Sequence, residues 1–496
     1  MGRERKSHAP PPGRQPVLEA CSPTIIKNIH SIVALAMEEH ADGQQPKIGI
    51  IGMGDMGKMY ARRLLAGGWT SIYACDLPEK FEVLTEEFKD TSLTILSSGH
   101  LVSRLCDFVL YSVEAAFMDK VVAEFGPSTK LGAIVSGQTS VKAPEKEAFE
   151  KHLPQDVHII SMHSLHGPTV SPEGQPMILI QHRAPDSKLR LVEEIFACFK
   201  SSYVYMTYEE HDLVTANTQA VTHAAFLSMG TAWHSAASYP WESGRYVGGI
   251  EIVKINIALR IYANKWHVYA GLAILNPSAR LQINQYATST TELFKLMIEG
   301  NEPELRRRIL AAKQTVFPES ASSTLERAPI LLSDKILDQF SLGPQPAAGS
   351  SPRNSHLSLL AMVDCWHVLG IRPFQHLDLA ATPVFRMWIG VAEYLFRDQN
   401  RLDDALNSAL NDTAHRSDDT EFVIAARGWS QCVDFGSWES YRRRFERTRE
   451  FFAPRFDEAT KVGGEMIKTI SASSTPSTYA ASSSTSSLPP RPPPKD

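Results

Sequence analysis

The sequence predicts an α/β domain with a doubly wound, Rossmann-type sheet over residues 46-207, followed by an all-α domain over 208-470. Three observations carry this expectation. Short apolar, β-branched runs alternate with amphipathic stretches between 47 and about 207, such runs stop after about 208 in favour of helical spacing, and the first run ends in a glycine-rich turn.

The β-type runs are KIGIIGM (47-53), SIYACDL (71-77), FVLYSVE (108-114), AIVSGQ (133-138), HIISMH (158-163), MILIQH (177-182) and SYVYMT (202-207). Helical candidates lie near 56-67, 79-89, 115-125, 142-152 and 186-200. Alternation of this kind implies a mainly parallel sheet covered on both faces, with the last strands open to an antiparallel course. Helices are expected at 209-236, 250-275, 279-298, 302-315, 354-370, 383-397 and 439-452, with a Pro/Gly/Ser loop at 343-353 and no internal repeat. Residues 1-45 form an N-terminal extension and 471-496 a Ser/Pro-rich tail. Residues 1-16 and 471-496 have almost nothing to bury and are expected to be disordered. The final LPPRPPP is also compatible with a polyproline II helix docking on an aromatic groove.

At roughly 100 to 200 residues per domain, 496 residues make two or three domains. Apolar residues are 43% of the chain, which excludes whole-chain disorder. The 50 basic against 55 acidic residues leave a net charge of -5, so neither nucleic acid nor an anionic membrane is an expected partner. Six scattered cysteines without metal-ligand spacing, no long apolar run and no apolar signal core suit a cytoplasmic protein without a structural metal.

The run from Lys47 leads into Gly52-Met53-Gly54-Asp55-Met56-Gly57 and then a helix, the strand-turn-helix setting in which GxGxxG binds a dinucleotide. Its glycines permit a tight turn, close approach of a pyrophosphate, and helix-strand packing, while the helix start offers free N–H groups. Asp76, 19 residues past Gly57, would accept the ribose 2′-OH of NAD and repel the 2′-phosphate of NADP, unless Lys80, Arg62 or Arg63 offsets it. Ligands in such sheets sit beyond the carboxyl ends of strands, which points to Ser112, Ser140 and His163, the last followed by a turn containing His166. In the helical half, Asn256, Arg260, Asn264 and His267 read as one polar stripe, and Thr215, Gln219 and His223 as another. Arg260 has the planar fork that clamps a carboxylate. Either stripe is equally compatible with an internal hydrogen-bond seam.

From about 46 to 470 the sequence resembles fungal prephenate dehydrogenase, in IGIIGMGDMGKMYA, GHLVSR, HGPTVSPEGQP, TYEEHDLVTANTQAVTHAAFLSMG, LRIYANKWHVYAGLAILNPSA and NSHLSLLAMVD. The resemblance implies an N-terminal dinucleotide-binding domain, a helical dimerisation domain, a homodimer, prephenate as substrate and NADP as cofactor, against the NAD reading of Asp76 alone. By resemblance His163 is the catalytic histidine with Ser140, the substrate-contacting serine, beside it, and His223 and Arg260 contact the substrate; Gln219 of the second stripe and His166 are counted as further substrate-binding candidates. The turn departs from the bacterial pattern at Ser164 and His166, which leaves the role of His166 open. Three alternatives stand beside this reading. A β-hydroxyacid dehydrogenase requires GxxxKxxxN, which Gly249, Lys254 and Asn256 do not satisfy; arogenate dehydrogenase and a non-catalytic NADP-binding regulator are separated by assay.

Overall fold

The structure, a computed structural model, describes residues 45–168, 170–242, 248–318, 329–331, 333–343, 354–380 and 382–473. The N-terminal extension up to 44, nearly all of the 343-353 loop, and the tail from 474 on lie outside the described residues. An eight-stranded sheet is formed by β1 (Ile48–Ile51), β2 (Ile72–Cys75), β3 (Leu93–Ile95), β4 (Phe108–Tyr111), β5 (Ile134–Gly137), β6 (His158–Ser164), β7 (Pro176–Arg183) and β8 (Ser202–Tyr205), ordered β3-β2-β1-β4-β5-β6-β7-β8.

The central strands are apolar throughout because helices cover both faces. Ile48, Ile50, Phe108 and Leu110 pack against α1 (Asp55–Ala66) and, further along the chain, Asp186–Phe196. Val109, Tyr111 and Val135 face the other way, onto neighbours that include Val102, Met118, Val122 and Phe149. In chain order the helices after α1 are α2 (Phe81–Phe88), α3 (Gly99–Leu105), α4 (Met118–Phe125), α5 (Ala143–His152) and α6 (Asp186–Phe196). β3 and α3 were not expected from the sequence; the strand is a three-residue edge, too short to show alternation. The antiparallel course applies to the β6–β7 pair alone, since β8 returns parallel to β7.

The sheet ends at Tyr205, and Thr207 with Glu210 forms a reciprocal capping box that starts the helices at Tyr208. α7 (Tyr208–Thr215) continues through a π-turn (Ala216–Ala220) into α8 (Val221–Ser235). Then come α9 (Gly249–Ala263), α10 (Trp266–Leu275), α11 (Pro277–Glu299), α12 (Glu302–Val316), the short α13 (Asp334–Leu337) and α14 (Leu357–Val368). The series closes with α15 (Pro373–Ala380), α16 (Pro383–Phe396), α17 (Gln399–Asn411), α18 (Arg416–Asp434), α19 (Trp438–Phe452) and α20 (Phe456–Ser473), around one apolar core.

Two expectations are corrected here. The single helix expected over 250-275 is two, because Asn264 turns extended (ψ -177°) and donates its amide to the Arg260 carbonyl at 3.1 Å, ending α9. α15, α17, α18 and α20 were not foreseen. α17 exposes much polar surface and buries a stripe of Leu402, Ala405, Leu406 and Ala409, and α20 extends into the expected tail as far as Ser473.

One buried ion pair fastens α5 to the sheet. Lys142 and Glu145 are both fully buried, with the Lys142 ammonium 2.9 Å from Glu145 Oε1 and donating to the carbonyls of Gly137 (3.0 Å) and Met162 (2.7 Å) at the ends of β5 and β6. Replacing Glu145 by Gln leaves that cation without its counter-charge, and we expect a loss of about 3–5 kcal/mol in denaturant unfolding. A loss below about 1 kcal/mol would show that the carbonyls alone suffice.

Candidate active site

The glycine turn has the geometry of a dinucleotide cradle. Gly52 has φ +100°, and a Cβ there would collide with the Ser112 carbonyl oxygen; one on Gly57 would collide with the Gly52 oxygen. Both positions therefore require glycine. At Gly54, the N-cap of α1, a Cβ would meet nothing within 4 Å, so the open side of the turn and the free N–H groups of the helix face the same space. These residues fit a bound diphosphate. Met53 contributes only backbone, its side chain lying in the sheet core, and Met56 packs against that core.

Asp76 holds this turn from behind. Its Oδ2 accepts the Met53 N–H (2.7 Å), and its Oδ1 accepts the Leu77 N–H (2.7 Å) and the Lys80 ammonium (3.1 Å). The carboxylate expected to read a ribose is thus already neutralised and hydrogen-bonded. Lys80 stands half exposed beside it, whereas Arg62 and Lys58 are engaged with Glu87.

Ser112, Ser140 and His163 follow or end β4, β5 and β6, adjacent strands at the same edge as the turn after β1. The Ser112 hydroxyl accepts from Gln138, and that of Ser140 bonds no described residue. His163, 7% exposed, makes a contact the sequence did not disclose: its Nδ1 is 2.8 Å from Nε2 of His211, whose Nδ1 is 2.9 Å from Asp212 Oδ1. Asp212 also accepts the N–H groups of Lys142 (2.7 Å) and Ala143 (2.8 Å), capping the start of α5.

This chain assigns the protons. The carboxylate requires an N–H on His211 Nδ1, so a neutral His211 accepts at Nε2, His163 donates from Nδ1, and the lone pair of His163 is left on Nε2. Burial, then the neighbouring His211, Lys142 and His166, holds His163 well below the usual histidine range, and burial does the same to His211. Burial pushes Asp212 up to about 6, opposed by its two backbone bonds and Lys142, so all three groups hold these states near neutral pH. The result is a neutral imidazole base at the sheet edge with fixed tautomer. No sequence spacing links residues 163 and 211; only the pairing of a β6 end with the first turn of α7 does.

From the helical half, His223 stacks edge-on to Tyr269 with ring centroids 4.8 Å apart. Asn264 donates to the Tyr269 hydroxyl at 3.1 Å; burial pushes that phenol up to about 12, against Asn264 and the nearby Arg260 charge. Arg260 is partly buried and makes no ion pair with any described residue. Nε2 of Gln219, Nδ1 of His223 and Nε2 of His166 are buried without hydrogen-bond partners among the described residues. α10 lies against both the turn Ala115–Phe117 that follows β4 and the π-turn, which brings the Tyr269 cluster to the sheet edge.

The two polar stripes do not survive as drawn. Asn256 is 1% exposed and spends its amide on the carbonyls of Ile252 and Phe340, and His267 belongs to the next helix, where it approaches Glu114 at 3.5 Å. Thr215 bonds the backbone of His211 and Asp212 and accepts from Asn276, so it is a packing residue. Of these groups, Arg260, Gln219, His223 and the Oδ1 of Asn256 are left with unmet polar capacity among the described residues, and Asn256 lies in the helical core with its amide spent on backbone.

Residues 220–472 match a family described as a 6-phosphogluconate dehydrogenase C-terminal domain, and residues 47–136 match that described as NADP oxidoreductase coenzyme F420-dependent. The chain is 53% identical over 421 residues to the probable prephenate dehydrogenase, NADP(+), of Schizosaccharomyces pombe, covering 85% of this chain and 96% of that protein. It is 51% identical over 431 residues to the prephenate dehydrogenase, NADP(+), of Saccharomyces cerevisiae, covering 85% and 93%. A solved prephenate dehydrogenase from A. aeolicus, in complex with hydroxyphenyl propionate and NAD+, is 20% identical with a TM-score of 0.44, over 53% of this chain and 94% of that one.

The lowered histidines have a consequence for stability. Burial takes His223 from the ordinary 6.5 down to about 4, so between these values the unfolded chain binds the extra proton and the fold loses stability as pH falls. His163 and His211 act with the same sign and Asp212 with the opposite one. We expect His223→Asn to lose less melting temperature than the parent when pH is lowered from about 7 to about 5; an equal loss would place the titration elsewhere.

Proposed function

The chain belongs to the prephenate dehydrogenase family, and from that premise we propose that it oxidatively decarboxylates prephenate to 4-hydroxyphenylpyruvate while reducing NADP. The observation that carries this reading is the neutral His163 imidazole, with its lone pair on Nε2, at the strand edge it shares with the glycine turn. Sequence identity of 51–53% over most of the chain to proteins named for prephenate supports prephenate over arogenate.

The glycine turn and the start of α1 bind the dinucleotide's diphosphate, and Lys80, beside an Asp76 already satisfied by backbone, supplies positive charge for a 2′-phosphate. When bound, the dinucleotide takes up the hydride leaving C4 of the substrate ring. His163 Nε2 accepts the proton of the C4 hydroxyl as that carbon becomes a carbonyl, a contribution of roughly 10²- to 10⁴-fold. The bond from the ring to its carboxylate then breaks, CO2 leaves with the ring gaining its electron pair, and the oxygen recovers a proton from His163 as a phenol. Ser140, whose hydroxyl bonds no described residue, orients the substrate hydroxyl. Arg260 holds the ring carboxylate, and His223, Gln219 and His166 complete the polar lining with their unpaired nitrogens. His211 and Asp212 act as positioning residues, fixing the His163 tautomer.

A homodimer through the helical half belongs to the same proposal, supported by Phe435 (78% exposed), Leu281 (64%) and Ile424 (57%) on its surface. So does a cytosolic location, supported by five described cysteines that are all free thiols. No described helix is long and apolar enough to cross a membrane.

With purified protein, prephenate and NADP should yield reduced nicotinamide together with CO2; cofactor binding without turnover would favour the regulatory alternative. His163→Asn is expected to lower kcat by about 10²-fold or more with little change in prephenate affinity, and an unchanged kcat removes it from the chemistry. Arg260→Ala should weaken substrate interaction by about 1.5–3 kcal/mol, read as a raised KM. Unaltered saturation by prephenate would dismiss the clamp.

A further inference from the structure

The corner between α9 and α10 reaches across to the cofactor side of the sheet. Lys265 Nζ lies 2.6 Å from Asp55 Oδ2, and two residues on, His267 Nε2 lies 3.5 Å from Glu114 Oε1. Asp55 is the first residue of α1, inside the glycine turn, and Glu114 follows the adjacent strand β4, two residues past Ser112. Both basic side chains thus come from the helical half, and both carboxylates border the cradle.

Asp55 is an awkward residue for that place. The free N–H groups and the positive end of α1 favour an anion, but a diphosphate seated on the open face of Gly54 has this carboxylate as its immediate neighbour. The hydrogen bond from Lys265, followed by its charge, holds the Asp55 carboxyl below the usual carboxylate range, so it stays ionised when the cofactor arrives. The cation already at hand is Lys265, 65% exposed at its side chain and held only by a surface ion pair, a kind of contact that is readily exchanged.

We propose that Lys265 is a cofactor-contacting residue delivered from the helical half, which leaves or shares Asp55 to neutralise the diphosphate of the dinucleotide. The inference rests on the NADP reading above and adds a phosphate contact from outside the sheet domain. It assigns Lys265 to the diphosphate and Lys80 to the 2′-phosphate, two roles that one pair of ligands separates.

The test is binding, not turnover: titration of the full chain with NADP and with 2′-AMP, which keeps the 2′-phosphate but lacks the diphosphate, followed by intrinsic fluorescence. Lys265→Met should raise the Kd for NADP about tenfold, the effect of one charged hydrogen bond, leave 2′-AMP unchanged, and flatten the salt dependence of NADP binding. Asp55→Asn should move the NADP Kd the other way, and Lys265→Arg should retain the parent value, which guards against a folding defect in the methionine variant. An unchanged NADP Kd in Lys265→Met, or equal weakening of both ligands, overturns the inference. Failure of the unaltered protein to bind NADP at all would instead overturn the cofactor reading on which it rests.

Discussion

A carboxylate with almost no access to water, that of Asp212, is the constraint through which the two halves of the molecule act as one. It accepts the first N–H groups of α5 from the sheet side and the His211 imidazole from its own helix, while the backbone carbonyl of the same residue takes the Asn276 amide at the start of α11. Three elements far apart in the chain are therefore registered on one residue. An ionised group so placed must have every oxygen engaged, so this arrangement tolerates little displacement of α7 against α5. The imidazole of His163 inherits its orientation and tautomer from that rigidity.

The charge distribution follows a related economy. Groups that serve packing are closed on themselves: Lys142 on Glu145 and two carbonyls, and Asp76 on the glycine turn. Among the described residues, groups assigned to ligand chemistry have capacity left over, including the Ser140 hydroxyl, the Arg260 guanidinium, and ring or amide nitrogens of His166, Gln219 and His223. Burial disfavours the charged form of the histidines, which under the proposed mechanism leaves an acceptor for a hydroxyl proton, with the positive charge for an anionic substrate supplied by an arginine that does not titrate.

Much of the sheet was legible along the chain because its strands are buried on both faces and read as continuous apolar runs, and the glycine turn because its three glycines each answer a separate steric demand. The placement of Ser112, Ser140 and His163 at one edge of the sheet was legible from a positional rule about strand ends. His211, Asp212 and Glu145 were not, since each lies on a helix whose polar residues carry no periodic signal, and their importance comes from a partner across space. The polar stripe on 250-275 failed for a local reason: Asn264 caps a helix that spacing alone would continue.

The chain's own order of residues determined that a mainly parallel sheet with a glycine-rich turn after its first strand precedes a helical half, because hydrophobic period and glycine placement act over a few neighbours. Which polar side chains are satisfied and which remain open was decided only by the folded arrangement. Hydrogen-bond saturation, desolvation and the direction of each imidazole depend on groups brought together from distant positions, as Lys142 and Asp212 are with a separation of 70. That is why Asp76, a residue that looks like a ribose reader, turned out to brace the turn, and why the histidine pair behind the base stayed hidden.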